Sequence, residues 1–330
     1  MTTMLLPAPD SGAGYRWSRL GVAALAVTLA VAVGFVSLRT TLAVFGATAT
    51  TKGTWTAATL HPPTALAATA GGSVTLTWTP TVDPVATGYY VFRSTTSGSG
   101  YSQISTVAPK TVATTANTPA ASGVYYYVLQ TEFQNWTSTN SNEASALFLL
   151  PAVTTATVPC LAGLNAAEIG GDNNGYQPRP NSACDLGANF AADNNTGSAG
   201  HSSVCTNAAN DREQFWGFGL GLPGSIYQVN SITVRADALR TSNTAGTNNL
   251  CIQLSWDGGT NWSNVQSVPI TSAAFATYTI GGAVAGWGAH TWTLANLTSP
   301  NFRVRVYDAT DVATQSYRLD YLAVTVNYNP

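Results

Sequence analysis

Of 330 residues only 8% are charged, against about a quarter in ordinary globular domains, so the polar surface must come from Thr, Ser, Asn and Gln. The formal net charge is −2; setting aside residues 1–49 leaves 10 basic and 14 acidic residues, so there is no basic excess of the kind that nucleic acid or an anionic membrane surface would need. The length suits two domains of ordinary size better than one small sandwich.

The first element is an apolar run, 20–38, with no charge or proline, preceded by Arg16 and Arg19 and closed by Arg39. It is long enough to cross a bilayer as a helix, and its positive flank marks the cytoplasmic side. Two readings stand: a cleaved signal peptide, with Ala47-Thr48-Ala49 as a small-x-small site, or a retained anchor. Either way the chain after residue 49 is expected outside, extracellular or at the cell surface, and contact with membrane is expected through this segment only. Residues 50–60 read as a stalk or a lone strand around Trp55.

From residue 61 to 150 short alternating runs separated by Gly, Pro, Ser and Thr give the signal of an all-β sandwich. Val74, Leu76 and Trp78 share one face of the first clear strand; Gly88-Tyr89-Tyr90-Val91-Phe92-Arg93, Val124-Tyr125-Tyr126-Tyr127-Val128 and Ser141-Asn142-Glu143-Ala144-Ser145 follow. With the Pro62-Pro63-Thr64 start, this set resembles a fibronectin type III domain, which implies a spacer or adhesive unit and no catalyst.

A linker, 151–165, leads to a second region, 166–330. Its opening, 165–210, is rich in Asn, Asp, Gly and Ala and reads as a long irregular loop ordered by its cysteines. Strands are expected at 224–236, 250–256, 276–280, 291–294, 302–307 and 319–328. This outline is similar to the jelly-roll sandwiches of galactose-binding-like and carbohydrate-binding modules. The fold class is therefore all-β, two β-sandwich domains, fibronectin type III-like then jelly-roll-like, behind an N-terminal hydrophobic helix. Ser255-Trp256-Asp257-Gly258-Gly259-Thr260-Asn261-Trp262 resembles an Asp-box hairpin, in which Asp257 accepts hydrogen bonds from its own turn. One copy makes it a folding device and excludes a propeller of such boxes.

Cys160, Cys184, Cys205 and Cys251 are even in number and confined to the second region, which argues for two disulfides and against zinc, since no Cys-x-x-Cys pair exists. Of three pairings the expected one is Cys184–Cys205, closing a short loop, with Cys160–Cys251 tying linker to sheet. Asp172, Asp185 and Asp193 are the candidate ligands of a structural calcium, the rival being plain solvation. The resemblance to accessory sandwiches implies such an ion; no other cofactor is expected.

A sugar-binding face needs an aromatic platform flanked by hydrogen-bonding groups. Alternation sets Arg303, Arg305 and Tyr307 opposite Phe302, Val304 and Val306, Tyr321 opposite Leu322, and Arg235 and Asp237 opposite Val234 and Ala236. If these strands are neighbours they form one polar-aromatic surface, with Trp287 or Trp292 at its edge; the alternative is an ordinary solvated sheet with cross-strand ion pairs. Three histidines, none in a His-Glu-x-x-His context, and four glutamates supply little for catalysis, so no catalytic residue is expected. The expected role is a non-catalytic surface, adhesion or matrix protein, with a glycan-binding module as the alternative and a glycan-active enzyme a distant third. Partners are then glycans or other surface proteins, and no nucleic acid. The start of the chain, with Phe45-Gly46-Ala47 and Gly53-Thr54-Trp55, has a slight similarity to camelysin and TasA-type exported proteins, which implies self-assembly through the strand around Trp55.

Overall fold

A computed structural model describes residues 4–7, 55–177, 179–193, 202–312 and 314–330. The apolar run 20–38 and the Ala47-Thr48-Ala49 site lie outside these residues; among those described, no helix is long and apolar enough to cross a membrane. The described chain is all-β, with only short 3-10 turns between strands. Around Trp55 a strand Trp55–Ala58 pairs antiparallel with Met4–Pro7.

The first sandwich has seven main strands: β1 (Thr64–Thr69), β2 (Val74–Thr79), β3 (Gly88–Ser94), β4 (Ser102–Val107), β5 (Thr114–Asn117), β6 (Gly123–Phe133) and β7 (Ala144–Phe148). A sheet of order β1-β2-β5 faces one of order β7-β6-β3-β4. The strict alternation of β2 buries Val74, Leu76 and Trp78 and leaves Thr75, Thr77 and Thr79 outside. Trp78 meets Tyr89 of β3 edge-on at 5.4 Å, and Tyr127, Leu129 and Phe148 complete the core.

The second sandwich contains β8 (Asn165–Ala167), β9 (Arg212–Trp216), β10 (Gln228–Arg240), β11 (Asn248–Ser255), β12 (Gln266–Pro269), β13 (Ala276–Ala283), β14 (Arg303–Thr310) and β15 (Tyr317–Asn329). One sheet runs β13-β10-β15, and the short strands Val153–Thr154, Val158–Pro159 and Ala191–Ala192 pair along the free side of β15. The other runs β8-β9-β14-β11-β12. Between them Ile232, Val234 and Ala236 of β10 and Leu322, Val324 and Val326 of β15 pack in one core with Phe215, Leu250, Ile252, Leu254, Val304 and Val306. Burying each large aliphatic side chain stabilises by about 1.5–3 kcal/mol. The core is continuous across both sheets, so it fixes which residues of each strand point outward.

Three expectations are corrected here. The stretch 291–294 forms no strand: Asn296 Oδ1 accepts from the Thr293 N–H (2.9 Å) and hydroxyl (2.7 Å), which turns the chain into the 3-10 turn Ala295–Leu297. The Asn-rich opening is more than a stapled loop, because β8 and Ala191–Ala192 join the two sheets and Tyr176, Ala183 and Ala191 are fully buried in its described part. The disulfides are Cys160–Cys184 and Cys205–Cys251, not Cys184–Cys205 and Cys160–Cys251. Short loop length favoured the latter set, but strand register decides otherwise. The Cys160 N–H bonds Leu322 O (3.2 Å) and Cys184 bridges Tyr321, which places both cysteines against β15 with Cα atoms 4.9 Å apart. Cys251 lies on the outer side of the other sheet, where Cys205 packs beside Tyr307.

Candidate functional site

The residues that alternation turned outward do not form one surface. Arg235 and Asp237 sit on β10 beside Tyr321 of β15, whereas Arg303, Arg305 and Tyr307 sit on β14 in the opposite sheet. The single polar-aromatic surface is thus corrected to two faces on opposite sides of the sandwich, because β10 and β14 are not neighbours. Trp287 and Trp292 edge neither. Trp287 is 1% exposed and donates its indole N–H to Ile232 O (2.9 Å); Trp292 is 4% exposed and packs edge-on against Phe302 and Trp256. Both are core residues.

On the β10 face Arg235 forks onto Asp237, Nε to Oδ1 at 3.0 Å and Nη2 to Oδ2 at 2.6 Å, while Thr277 donates to the same carboxylate at 2.7 Å. The Arg235 guanidinium lies 4.9 Å from the Tyr321 ring centre. Burial works against the Asp237 carboxylate, but the bonds from Arg235 and Thr277 hold it below its ordinary range. Arg235 and Asp237 thus form a closed ion pair on this face.

The β14 face is organised differently. Antiparallel register sets Arg212, Gln214 and Trp216 of β9 opposite Tyr307, Arg305 and Arg303, with Cys251, Gln253 and Ser255 of β11 on the other flank. Arg305 is the hub. Its guanidinium lies 3.5 Å from the centre of the Trp262 ring, donates to Glu168 Oε1 (2.7 Å), Tyr307 OH (3.1 Å) and Gln253 Oε1 (3.4 Å), and forms a second contact from Nε to Glu168 Oε2. Tyr307 is itself buried and donates its hydroxyl to Gln253 Oε1, so it braces the hub and offers no open platform. Arg303 stacks 4.3 Å from the Trp216 ring centre and is oriented by Gln214 Oε1 (2.9 Å) and Pro300 O (3.2 Å). Arg212 lies 5.1 Å from the Tyr307 ring and donates to Asn207 O (3.0 Å).

Trp262 reaches this face through the Asp-box-like hairpin. Asp257 accepts from the backbone N–H of Thr260 (3.1 Å) and Asn261 (2.8 Å), the Asn261 amide (2.6 Å) and the Ser255 hydroxyl (3.1 Å). Burial would raise this carboxyl, but those bonds hold it below its usual value, so it stays charged and keeps the turn closed. Gly258 and Gly259 both take positive φ, 76° and 94°, which the turn requires. The indole N–H of Trp262 closes onto Gly259 O at 2.9 Å.

The calcium candidates are not brought together. Asp185 bonds the Gly187 N–H (2.9 Å) in its own turn, and Asp172 holds Asn174 (2.6 Å). Asp193 is buried beside Asp211 and Asp308; Asp211 also accepts the Asp172 N–H at 3.0 Å, so Asp172 borders this acid group through its backbone while Asp185 stays in its own turn. Among the described residues no group of three His, Cys, Asp or Glu is arranged to hold a metal, so the set Asp172, Asp185 and Asp193 is corrected on geometric grounds. Burial first, and then the neighbouring Asp193, pushes Asp211 up to about 8 and Asp308 well above the carboxylate range. Burial likewise lifts Glu213 to about 7. These acids face inward, away from both outer faces.

Sequence reasoning missed Glu168, Arg212, Gln214, Trp216, Gln253 and Trp262. The signal was present in Arg212-Glu213-Gln214-Phe215-Trp216, where polar or aromatic outward residues alternate with inward Glu213 and Phe215.

No family model and no curated protein matches the chain. Among solved structures the chain is similar to an Fn3-like protein from Clostridium thermocellum, at 30% identity over 28% of this chain and 98% of that one, with a TM-score of 0.25. It is also similar to SGBP-B from a complex xyloglucan utilization locus in Bacteroides uniformis, at 10% identity, covering 82% of this chain and 76% of that one, TM-score 0.29. A third likeness is to a protein from a study of the promiscuous specificity of β-sandwich carbohydrate-binding modules, at 10% identity over 81% and 96% of the two chains, TM-score 0.20. Scores this low carry no functional argument, and the site's own chemistry has to supply one.

Proposed function

We propose that this is an exported, non-catalytic surface protein that attaches to glycans through the β14 face of its second sandwich, with the first sandwich as spacer. The observation that carries the reading is the pairing of two indoles, Trp216 and Trp262, with the amides of Gln214 and Gln253 and the guanidiniums of Arg303 and Arg305 on one sheet face. A pyranose has an apolar face that packs on an indole and a hydroxyl rim that needs fixed donors and acceptors; here the half-buried Trp216 and Trp262, each under a guanidinium, would supply the apolar contact, and the amides and guanidiniums the rim. The donors are already oriented before any ligand arrives, which lowers the ordering cost of binding.

Two further features support the reading. Both disulfides suit an oxidising compartment, in line with the apolar run at 20–38. Four carboxyls of the second sandwich are engaged in the fold: Glu168 is bound to Arg305, and Glu213, Asp211 and Asp308 are turned into the core.

The test is a glycan array with the full chain. Saturable binding that Trp262→Ala and Trp216→Ala each weaken about tenfold or more, and Arg235→Ala on the opposite face leaves unchanged, is the expected result. Silence across the array, or loss with Arg235→Ala alone, overturns it.

A further inference from the structure

The β14 face carries more positive charge than a neutral sugar needs. Arg212, Arg303 and Arg305 share it; Glu168 pairs with Arg305, and the Asp257 turn runs beside Arg303 with its carboxylate engaged by its own backbone. Only Arg305 of the three has an ion pair among the described residues; Arg212 and Arg303 are held by carbonyl and amide oxygens and no carboxylate pairs with them. On the opposite sheet Arg235 is matched by Asp237 two residues along the same strand, while Arg318 stacks on Phe190. We infer that the β14 face takes an acidic, uronate-bearing polysaccharide, whose carboxylates seat on Arg303 and Arg212 while its rings lie against Trp216 and Trp262. This rests on the glycan-binding reading above.

The face itself contains an example of the carboxylate contact. Glu168 meets Arg305 with both oxygens, Oε1 accepting from Nη2 at 2.7 Å and Oε2 in ion-pair contact with Nε, the kind of contact a planar carboxylate makes with a planar guanidinium. Arg303 is one side-chain rung away on the same strand, stacked on an indole as Arg305 is, and held by Gln214 and Pro300 O through Nη1 and Nε. Its Nη2 makes no hydrogen bond among the described residues. A uronate carboxylate approaching from solvent would reproduce at Arg303 what Glu168 does at Arg305. The register separates Arg212 from Arg303 by four residues along the paired strands, about 13 Å at strand rise, so a chain of sugars rather than one sugar is needed to reach both.

The test uses the full chain and matched polymers: polygalacturonate and alginate, each beside its carboxyl-reduced form, with dextran sulfate as a carboxyl-free polyanion. The expected result is roughly tenfold or greater loss of affinity on carboxyl reduction, the weight of one charge-assisted bond or more. Arg303→Gln should lose a similar factor toward the acidic polymers and little toward the reduced ones. Arg303→Lys, which keeps the charge but not the fork, should recover only part. Affinity for the acidic polymers should fall with added salt, and Arg235→Gln should bind as the unmodified protein does. Equal binding to acidic and reduced polymers overturns the inference while leaving glycan binding intact; tighter binding to dextran sulfate than to either polyuronate replaces it with a general anion patch. Binding to none of these polymers while the glycan array finds another ligand overturns the inference alone; silence on both overturns the glycan reading itself. The comparison of matched polymers needs no variant, so it stands even if Arg303 substitutions fail to fold.

Discussion

Glu168→Gln tests whether the β14 face is built as described. The Glu168 and Arg305 side chains are 15% and 14% exposed, between a surface pair, worth about 0–1 kcal/mol, and a fully buried one, whose disruption costs about 3–5 kcal/mol. Arg305 keeps Tyr307, Gln253 and the Trp262 ring when Glu168 is neutralised, which caps the penalty. An expected cost of about 2 kcal/mol follows, or about 4–8 °C in the melting temperature of a domain of this size. Arg305→Met should cost more, since it also removes the stacking on Trp262, worth about 1–2 kcal/mol when desolvated. The double variant should fall short of the sum by about 1–2 kcal/mol, the coupling of the pair. Urea unfolding followed by tryptophan fluorescence measures all three. A single-variant cost within about 0.5 kcal/mol of zero, or an additive cycle, would show that the pair organises nothing.

Further outcomes follow from the core and the hairpin. Asp211 at about 8 and Glu213 at about 7 are carboxyls raised in the folded state, so the fold binds their protons more tightly than the unfolded chain does. Their contribution is full below about pH 4 and is lost as pH rises toward 8, by at most ~1.4 kcal/mol per pH unit for each group. Urea midpoints in EDTA should decline from pH 5 to 8 and then level; a flat or rising profile refutes the burial argument, and calcium that flattens it would mean an ion neutralises these acids in place of protons. Gly281 has φ of 92° and a Cβ there would stand 2.2 Å from the Trp287 ring, so Gly281→Ala should cost at least about 2 kcal/mol in thermal denaturation, and a neutral effect would contradict the placement of that indole. Asp257→Ala should lower stability by about 1–2 kcal/mol and weaken glycan binding together, because the same turn holds Trp262. Peptide mapping after cleavage at Asp185 and Asp193, which separates Cys184 from Cys205, should recover Cys160 with Cys184 and Cys205 with Cys251. Replacing the latter pair by serine should cost about 4 kcal/mol on loop-entropy grounds for a separation of 46 residues.

Much of the fold was legible because alternation is a local signal. Val74, Leu76 and Trp78, Val304 and Val306, and Leu322, Val324 and Val326 all point inward as their period of two requires. What alternation cannot show is which strands are neighbours. Arg235 and Arg305 look equivalent in sequence, each on the polar side of a β-branched strand, yet β10 and β14 belong to different sheets. The tryptophans misled for a related reason. Trp287 and Trp292 follow glycine-rich turns and look exposed, but Gly281 opens the backbone to receive one and Phe302 packs against the other. Cysteine pairing was illegible because it follows the register of short strands along β15, which composition does not encode. Glu168 was hidden by its Asn-rich surroundings, and its partner lies 137 residues away.

The central claim is that ligand contacts the β14 face, and carbene footprinting of the full chain with and without a bound acidic oligosaccharide tests it most directly. Labelling should fall at Trp216, Trp262 and Arg303 and stay unchanged at Arg235, Tyr321 and Thr277. Protection of the β10 face, or none at either indole, would contradict it.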